Sequence, residues 1–578
     1  MRRHRLLALA APLSLLAVIA GGPPAAAVTY EQSAAAVTNV FATTQRVSCF
    51  RPEVFYDGTL ASTGNGYSGM SPCSGATTGE DTGFAHKYPT QVGSNPGYPA
   101  DGPMLVKDHS ESDIRVDPTN PLHLIGTSKW AVSAEGYNHL LGFFESFDGG
   151  YSWPEQGHIP GYEGWTDNTD PVGAFDRFGN FYALILPYQF FYNPDGTHNF
   201  MINPNLEPNP SVPAEAITIA VRQKGATTAK QWSSSSAMDV IASYPAKGRE
   251  PDKQWITIDT NPTSPHKDRI YAMWTIFDGI AAVPMVSYAD AIPDGTHTAW
   301  STPQRLPMAG NSPQGDSYAL PHVAGDGTVY TTLTNFTDHS SVASIILDRS
   351  NDGGATWETV SSVVENITVP PATYANTNFR DGIENTFAVG QVPVNGKYPL
   401  YVAWEDYSTG NGNLQISASY DGGLKWSPAT KINDNPGTTD AFQPNLATSA
   451  DGRVLVAFYD RRLACPLAGP EATAAGLDID SNHPYGALNY CVNASLQTFN
   501  ADLSLRGSNV RLSKHTWDPQ LNSMKPHGLN RYTGFIGDYY GIDTAANKVF
   551  TTSVSTYNEN GSNPNHYQQQ VVAWMTIP

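Results

Sequence analysis

Acidic side chains recur just ahead of apolar, strand-like runs throughout this chain. In order they are Glu111 and Asp113, Asp167 and Asp170, Glu250 and Asp252, Asp316, Asp381 and Glu384, Asp440, and Asp538. Two carboxyls at a suitable separation are what glycosidic cleavage needs, one with a raised pKa as acid and one as base or nucleophile. Converging carboxylates could also hold Ca²⁺, which accepts about six to eight oxygens; the acid/base reading itself requires no cofactor. A lone Asp before a strand is an ordinary turn cap, so the signal lies in the set.

Arginines fall in or beside the same openings: Arg115, Arg249, Arg380 and Arg531. A guanidinium fork suits a substrate carboxylate. The last opening, RYTGFIGDYYG, brings Arg531, Tyr532, Asp538, Tyr539 and Tyr540 together. GYEGWTDNTDP offers Tyr162 and Trp165 as faces on which a sugar ring could stack, and YDRRLAC places Arg461 and Arg462 where they could add polar contacts. No H-E-x-x-H, G-x-S-x-G elbow or phosphate-cradling glycine loop occurs, which argues against catalytic zinc, an α/β serine hydrolase and a P-loop enzyme.

The elements that position these residues repeat. Seven units each open on an apolar strand, then a turn, then a second strand: SDIRVDPTNPLHLIGT, DPVGAFDRFGNFYALIL, KQWITIDTNPTSPHKDRIYAMW, YALPHVAGDGTVYTTL, ENTFAVGQVPVNGKYPLYVAW, QPNLATSADGRVLVAFYD and DYYGIDTAANKVFTTSV. A second phrase, Ser-x-Asp-x-Gly-x-x-Trp, stands at 146–153, 350–357 and 419–426. Its Asp-Gly-Gly has turn chemistry, with positive φ at glycine and an Asp that bonds its own turn amides, and its Trp anchors packing between sheets. From Ser350 to Ser419 is 69 residues, and from Ser146 to Ser350 is 204, close to three such periods. Two units with degraded turns should lie between, ending at Trp232 and Trp300.

A ring of units hides its sheet edges only if the last is completed. The final unit reaches a third strand, QQQVVAWMTI, and GPMLVKD before the first unit is the expected donor of the fourth. The expectation is an all-β propeller of seven four-stranded blades, six being the alternative, closed by an N-terminal strand. Residues 28–102 form an irregular segment, residues 103–578 the propeller, and LACPLAGPEATAAGLDIDSNHPYGALNYC a long loop of the sixth unit.

The three phrases match the Asp box, and through them the chain resembles the sialidase-like propellers with BNR repeats. The resemblance implies boxes on the blade periphery, remote from the active site. It also implies three arginines clamping a substrate carboxylate, a Tyr nucleophile beside a Glu, and a separate Asp as acid/base. Carried onto this chain, the clamp would be Arg115, Arg380 and Arg531, with Glu384 the partner of Tyr540 and Asp113 or Asp170 the acid. Asp538 and Tyr532 fall in the same final opening. The chain departs from the family where IRVDP stands in place of an Arg-Ile-Pro motif.

The compartment is read from the start of the chain. MRRHR, then LLALAAPLSLLAVIA, then Ala25-Ala26-Ala27 has the form of a secretory signal peptide cleaved near Ala27, residues 1–27, and no later stretch is long and apolar enough to span a bilayer. Four cysteines suit an oxidising compartment, with Cys49–Cys73 and Cys465–Cys491 the expected local pairs among three connectivities. A net charge of −20 argues against nucleic acid as a partner. The expected function is a secreted, monomeric glycoside hydrolase of the exo-sialidase-like type acting on extracellular glycan. The alternatives are a non-catalytic carbohydrate-binding or cell-surface scaffold and a polysaccharide lyase.

Overall fold

The computed structural model describes residues 42–47, 51–53, 104–106, 108–131, 139–159, 167–188, 215–229, 231–233, 239–244, 249–278, 281–307, 316–336, 342–371, 373–377, 379–381, 385–435, 438–477, 485–521, 535–564 and 566–578. They build seven antiparallel sheets of four strands each, arranged as the blades of a propeller. The innermost strands are Asp108–Val116, Asp167–Phe175, Arg249–Ile258, Asp316–Val323, Thr386–Val389, Ala441–Thr448 and Gly541–Ala545, in blades one to seven. Residues of all seven line a central cavity. Each matches one of the seven strand openings in the sequence.

The core lies between neighbouring blades. Second and third strands are buried on both faces, as in Phe181–Tyr188 and Glu215–Arg222 of blade two, so they read as continuous apolar runs. Blade two shares one apolar cluster with blade three through Tyr182, Leu184, Ile219, Ile256, Ile270 and Trp274.

The three Ser-x-Asp-x-Gly-x-x-Trp phrases fold into one recurring corner between third and fourth strands. The Ser146 hydroxyl donates to Asp148 at 2.9 Å and accepts from the Gly150 amide at 2.9 Å, and Asp148 accepts from the Ser152 amide at 2.8 Å. The same bonds tie Ser350, Asp352 and Gly354, and Ser419, Asp421 and Gly423. The second glycine is required on two counts: φ is 88° at Gly150, and a Cβ there would lie 3.2 Å from the Trp574 ring of blade seven. Ser146 pairs with Leu124, which pairs with Val116 at the end of the innermost strand. The corners therefore sit at the level where innermost strands end, opposite the face where those strands begin. The repeated phrase is architectural.

Closure differs from expectation in its donor. Thr43–Arg46 pairs antiparallel with Gln569–Thr576 and completes blade seven. Met104–Val106, from the expected donor GPMLVKD, pairs instead with Arg51–Glu53 in a separate two-stranded ladder. In the sixth blade the insertion carries a short helix, Pro470–Ala474, and the Cys465–Cys491 disulfide closes it. Cys49 and Cys73 lie outside the described residues.

Candidate functional site at the channel mouth

Where the innermost strands begin, five of them break register in the same way. Bulges fall between Ser110 and Asp113, Thr169 and Val172, Asp252 and Trp255, Ser317 and Leu320, and Phe442 and Asn445. Each holds one residue in the left-handed region: Glu111 at φ 52°, Asp170 at 57°, Lys253 at 55°, Tyr318 at 58° and Gln443 at 46°. Left-handed backbone costs an L-residue about 1–2 kcal/mol, and bulges re-aim side chains beside functional sites. Five polar residues strained alike at one level of a channel are an outlier that points to function. In blade seven Gly537, at φ 103°, passes so close to Glu111 that a Cβ would meet its backbone nitrogen at 2.5 Å, and Asp538 follows it. By sequence Glu384 matches in blade five; it lies outside the described residues.

The side chains of this ring interlock. Lys129, from the second strand of blade one, donates to the Thr169 hydroxyl at 2.6 Å and stands 3.7 Å from Glu111. The Thr169 hydroxyl donates to Asp170, and Glu111 and Asp170 also share a hydrogen bond. Lys253 is 2.5 Å from Asp538 and 4.0 Å from Asp170, with its ammonium 5.5 Å from the Tyr318 ring. Arg380 pairs with Asp538 through two nitrogens, one at 3.1 Å, and lies 4.5 Å over the Phe535 ring.

These surroundings drive the carboxyl groups apart. Burial, then the charge of Asp170, pushes Glu111 well above the usual carboxylate range. Asp170 is buried too, but Lys253, Lys129 and the Glu111 hydrogen bond outweigh that and hold it low. Asp538 is held low against burial by Arg380 and Lys253. Asp252 is pushed up to about 6, chiefly by burial. Burial and charge thus favour the protonated form of Glu111 and the ionised form of Asp170 beside it, the separation of roles that acid/base chemistry uses.

A second acid cluster stands next to the ring. The Tyr374 hydroxyl lies 2.5 Å from Asp381 and also meets Glu405, while Gln443 donates to Asp381 at 3.3 Å. One hydroxyl proton cannot serve two ionised acids, so one of them is protonated. Burial pushes Asp381 up to about 7 and Glu405 well above its usual range.

Of the residues singled out by sequence, Asp170, Asp538 and Arg380 meet at the mouth. Asp113 and Arg115 lie further down the innermost strand. Asp113 accepts from the Gly173 amide at 3.1 Å and pairs with Arg115 at 3.0 Å, and burial pushes it up to about 6. Arg115 also donates to the carbonyls of Gly173, Ile114 and Ile542, so it stays below the mouth as a tie between blades rather than as a clamp. Tyr540 is 1% exposed, packed edge-on against Tyr459 in the core between blades six and seven, with burial pushing it up to about 12. It cannot serve as the mouth nucleophile; its neighbour Tyr539 lines the cavity instead, 5.6 Å from Trp255.

Arg461 and Arg462 are fully buried on Asp440 and Asp460, at 2.9 and 2.6 Å, and are structural. Arg531, Tyr532, Tyr162, Trp165 and Glu384 lie outside the described residues, as do the side chains of Asp167, Arg249 and Asp316. Among the described residues no group of three or more His, Cys, Asp or Glu is placed to hold a metal ion. Sequence reading missed Lys129, Lys253, Tyr318, Tyr374 and Glu405. Aligning the seven openings would have found two of these, because Lys253 and Tyr318 share the position of Glu111 and Asp170.

No protein-family model and no curated protein matches the sequence. Solved structures match at low identity. A protein of unknown function from Dyadobacter fermentans is 13% identical over 82% of this chain and 95% of its own, at a TM-score of 0.42. Trypanosoma rangeli sialidase in complex with the inhibitor DANA is 12% identical over 63% of this chain and 55% of its own, at 0.37. An ulvan lyase, a polysaccharide lyase, is 10% identical over 60% and 76%, at 0.36. At such identities the likeness concerns the fold alone.

Proposed function

We propose that this protein is a secreted glycoside hydrolase of the sialidase-like type, acting on extracellular glycan at the channel mouth. The observation that carries the reading is the Glu111–Asp170 pair: two hydrogen-bonded carboxyls on left-handed bulge positions, with surroundings that shift the first towards its protonated form and the second towards its ionised form. Asp170 lines the cavity and Glu111 lies buried behind it, so the pair works as a relay: Asp170 takes the Glu111 proton and passes a proton to the glycosidic oxygen as the bond to the anomeric carbon breaks. Direct contact is closer than the separations of about 5–5.5 or 6.5–9.5 Å used by two-carboxylate glycosidases. The pair therefore acts as one acid, and the second carboxylate, base or nucleophile, is assigned to Glu384 at the matching position of blade five. Trp255 and Tyr539 give the mouth an aromatic floor for the sugar.

The test is turnover of aryl glycosides, sialosides included, by the purified mature chain beside Glu111→Gln, Asp170→Asn and Glu384→Gln. Loss of about 10²–10⁴-fold in each variant is expected for a lost general acid or base. Glycan binding with no turnover on any substrate would favour the non-catalytic scaffold. A polysaccharide lyase is a second reading, favoured by Tyr318 beside the Lys253 ammonium at 5.5 Å, a base next to a charge neutraliser. Its product would carry the ultraviolet absorbance of an unsaturated uronate.

A further inference from the structure

Beneath the charged ring the channel stays polar. One cavity of about 340 Å³ reaches from Asp170, Lys253 and Tyr318 at the mouth to Val116, Ile258 and Val323 at the far strand ends. The steps from Tyr318 to Val323 span about 17 Å at the rise of an extended chain. Such a volume is at the low end for ligand sites. All seven blades wall the bore, so a guest of that length enters end first.

The wall carries polar groups with bonding capacity to spare. The Gln254 amide donates to the Thr169 and Asp170 carbonyls at 3.2 and 2.6 Å, and its Oε1 is buried with no partner. A buried acceptor left unbonded is costly and marks a place for a donor. His322 is uncharged, pushed down to about 3 by burial and then by Arg115; one ring nitrogen engages the Phe387 backbone and the other is left as an acceptor. Asp543 accepts from the Val116 and Thr544 amides at 2.8 and 2.7 Å, one on each oxygen, and has lone pairs left. Donors stand among these acceptors. Arg115 directs four N–H groups to Gly173, Ile114, Ile542 and Asp113 and keeps a fifth. Asn445 gives one amide hydrogen to the Tyr540 carbonyl and keeps the second, and Thr257 adds a half-buried hydroxyl. Trp255 and Tyr539 set aromatic surface beside these groups.

This mixture selects its guest. A small cation uses only the acceptors and an anion only the donors, whereas a sugar hydroxyl both donates and accepts, and a pyranose also offers an apolar face to an aromatic ring. Charge selects too. Arg115 opposes Asp543 within the bore and Lys253 opposes Asp170 above it, so an ionised guest finds no net counter-charge. We propose that the bore is a subsite for an uncharged saccharide, two or more sugar units threaded end first while the scissile bond stays at the ring. The units below the ring are then neutral sugars, with no sialate or uronate among them. This rests on the glycoside reading of the mouth, with which the bore is continuous.

The test is calorimetric binding of a panel: glucose, galactose, mannose and xylose, the α- and β-linked di- and trisaccharides of each, and trigalacturonate as a charged counterpart. In at least one neutral series the dissociation constant should fall about tenfold or more from mono- to trisaccharide, the worth of one or two further hydrogen bonds. Trigalacturonate should bind no better than galactose. Ala174→Phe and Thr257→Phe, on neighbouring blades at the same level, should each remove the gain with length. Two plugs are used so that one poorly folded variant, seen as early melting, does not decide the result. No gain with length in any neutral series, a gain that both plugs leave intact, or a preference for the charged trimer overturns the inference. A gain lost in both plugs, without turnover of any glycoside, keeps the bore as a binding site and removes the hydrolase reading. Turnover indifferent to both plugs, with no gain from longer saccharides, does the reverse.

Discussion

Lys253→Met is the most informative perturbation of the mouth. Lys253 stands 4.0 Å from Asp170 and 2.5 Å from Asp538. At an effective dielectric of about 20, a unit charge 4.0 Å away is worth about 4 kcal/mol to Asp170, the equivalent of about three pH units. Lys253 also faces Asp252, and Lys129 remains in the variant, so the expected rise in the Asp170 pKa is about one to three units. The sign follows from charge: without the ammonium, the ionised carboxylate loses its stabiliser and protonates at higher pH. If Asp170 must be ionised, the acid limb of the kcat/KM profile moves up by the same amount, while the limb that reports Glu111 moves less. Methionine keeps the apolar stem and Asp538 keeps Arg380, so folding should survive. An acid limb that stays in place or moves down would refute the assignment of Asp170. The same titration can be followed without substrate by carboxyl ¹³C NMR of Asp-labelled protein.

Other expectations concern the frame. His123, between Asp117 at 3.0 Å and Glu145 at 2.8 Å, has its pKa raised to about 8, burial being outweighed by the two carboxylates. A raised folded pKa contributes stability below the unfolded value near 6.5 that is lost as pH rises through 8; wild type should exceed His123→Gln by about 2 kcal/mol more at pH 6 than at pH 9 in urea melts. Tyr374→Phe removes the donor shared by Asp381 and Glu405 and should destabilise by about 1–3 kcal/mol, read by thermal unfolding. Asp352→Ala removes three corner bonds on the face opposite the mouth; about 1–2 kcal/mol of stability should go with kcat unchanged. Cys465→Ser with Cys491→Ser opens a 26-residue loop and should lose about 3.5 kcal/mol on the loop-entropy scale.

The blades were legible because their signals are local. Each opening pairs an apolar run with a turn, and each Asp-Gly-Gly-x-x-Trp corner marks a third-to-fourth strand connection, so period and count follow from spacing. The closing strand was not legible for the converse reason. TTQR has no apolar alternation of its own, and only its pairing with residues more than five hundred positions away makes it a strand. GPMLVKD carries the apolar signal yet lacks that partner. At the mouth, Asp170, Asp538 and Arg380 were found from residue type. Lys253 and Tyr318 were passed over because left-handed bulges usually announce themselves by Gly or Asn, and here they carry Lys and Tyr. Tyr540 misled because it shares its opening with Tyr539: just ahead of the Gly541–Ala545 strand, Tyr539 lines the cavity while Tyr540 turns into the core against Tyr459.

The seam at Thr43–Arg46 has a consequence for how the ring comes apart. Its neighbourhood is tied to both sides of the gap: Gln45 donates to the Gly150 carbonyl of blade one at 2.8 Å, and Gln156 of blade one donates to Val47, while the strand itself belongs to blade seven. Four residues therefore act as a latch between the first and last blades of the chain. Without the latch, Gln569–Thr576 becomes an open sheet edge able to recruit any extended segment, and the molecule changes from a circuit that melts as a whole to a stack that can peel from either end. Cutting the chain between residues 47 and 104 would leave the latch held by its strand pairing and side-chain bonds without a covalent tether to blade one, and a synthetic strand with the Thr43–Arg46 sequence would then compete for its slot.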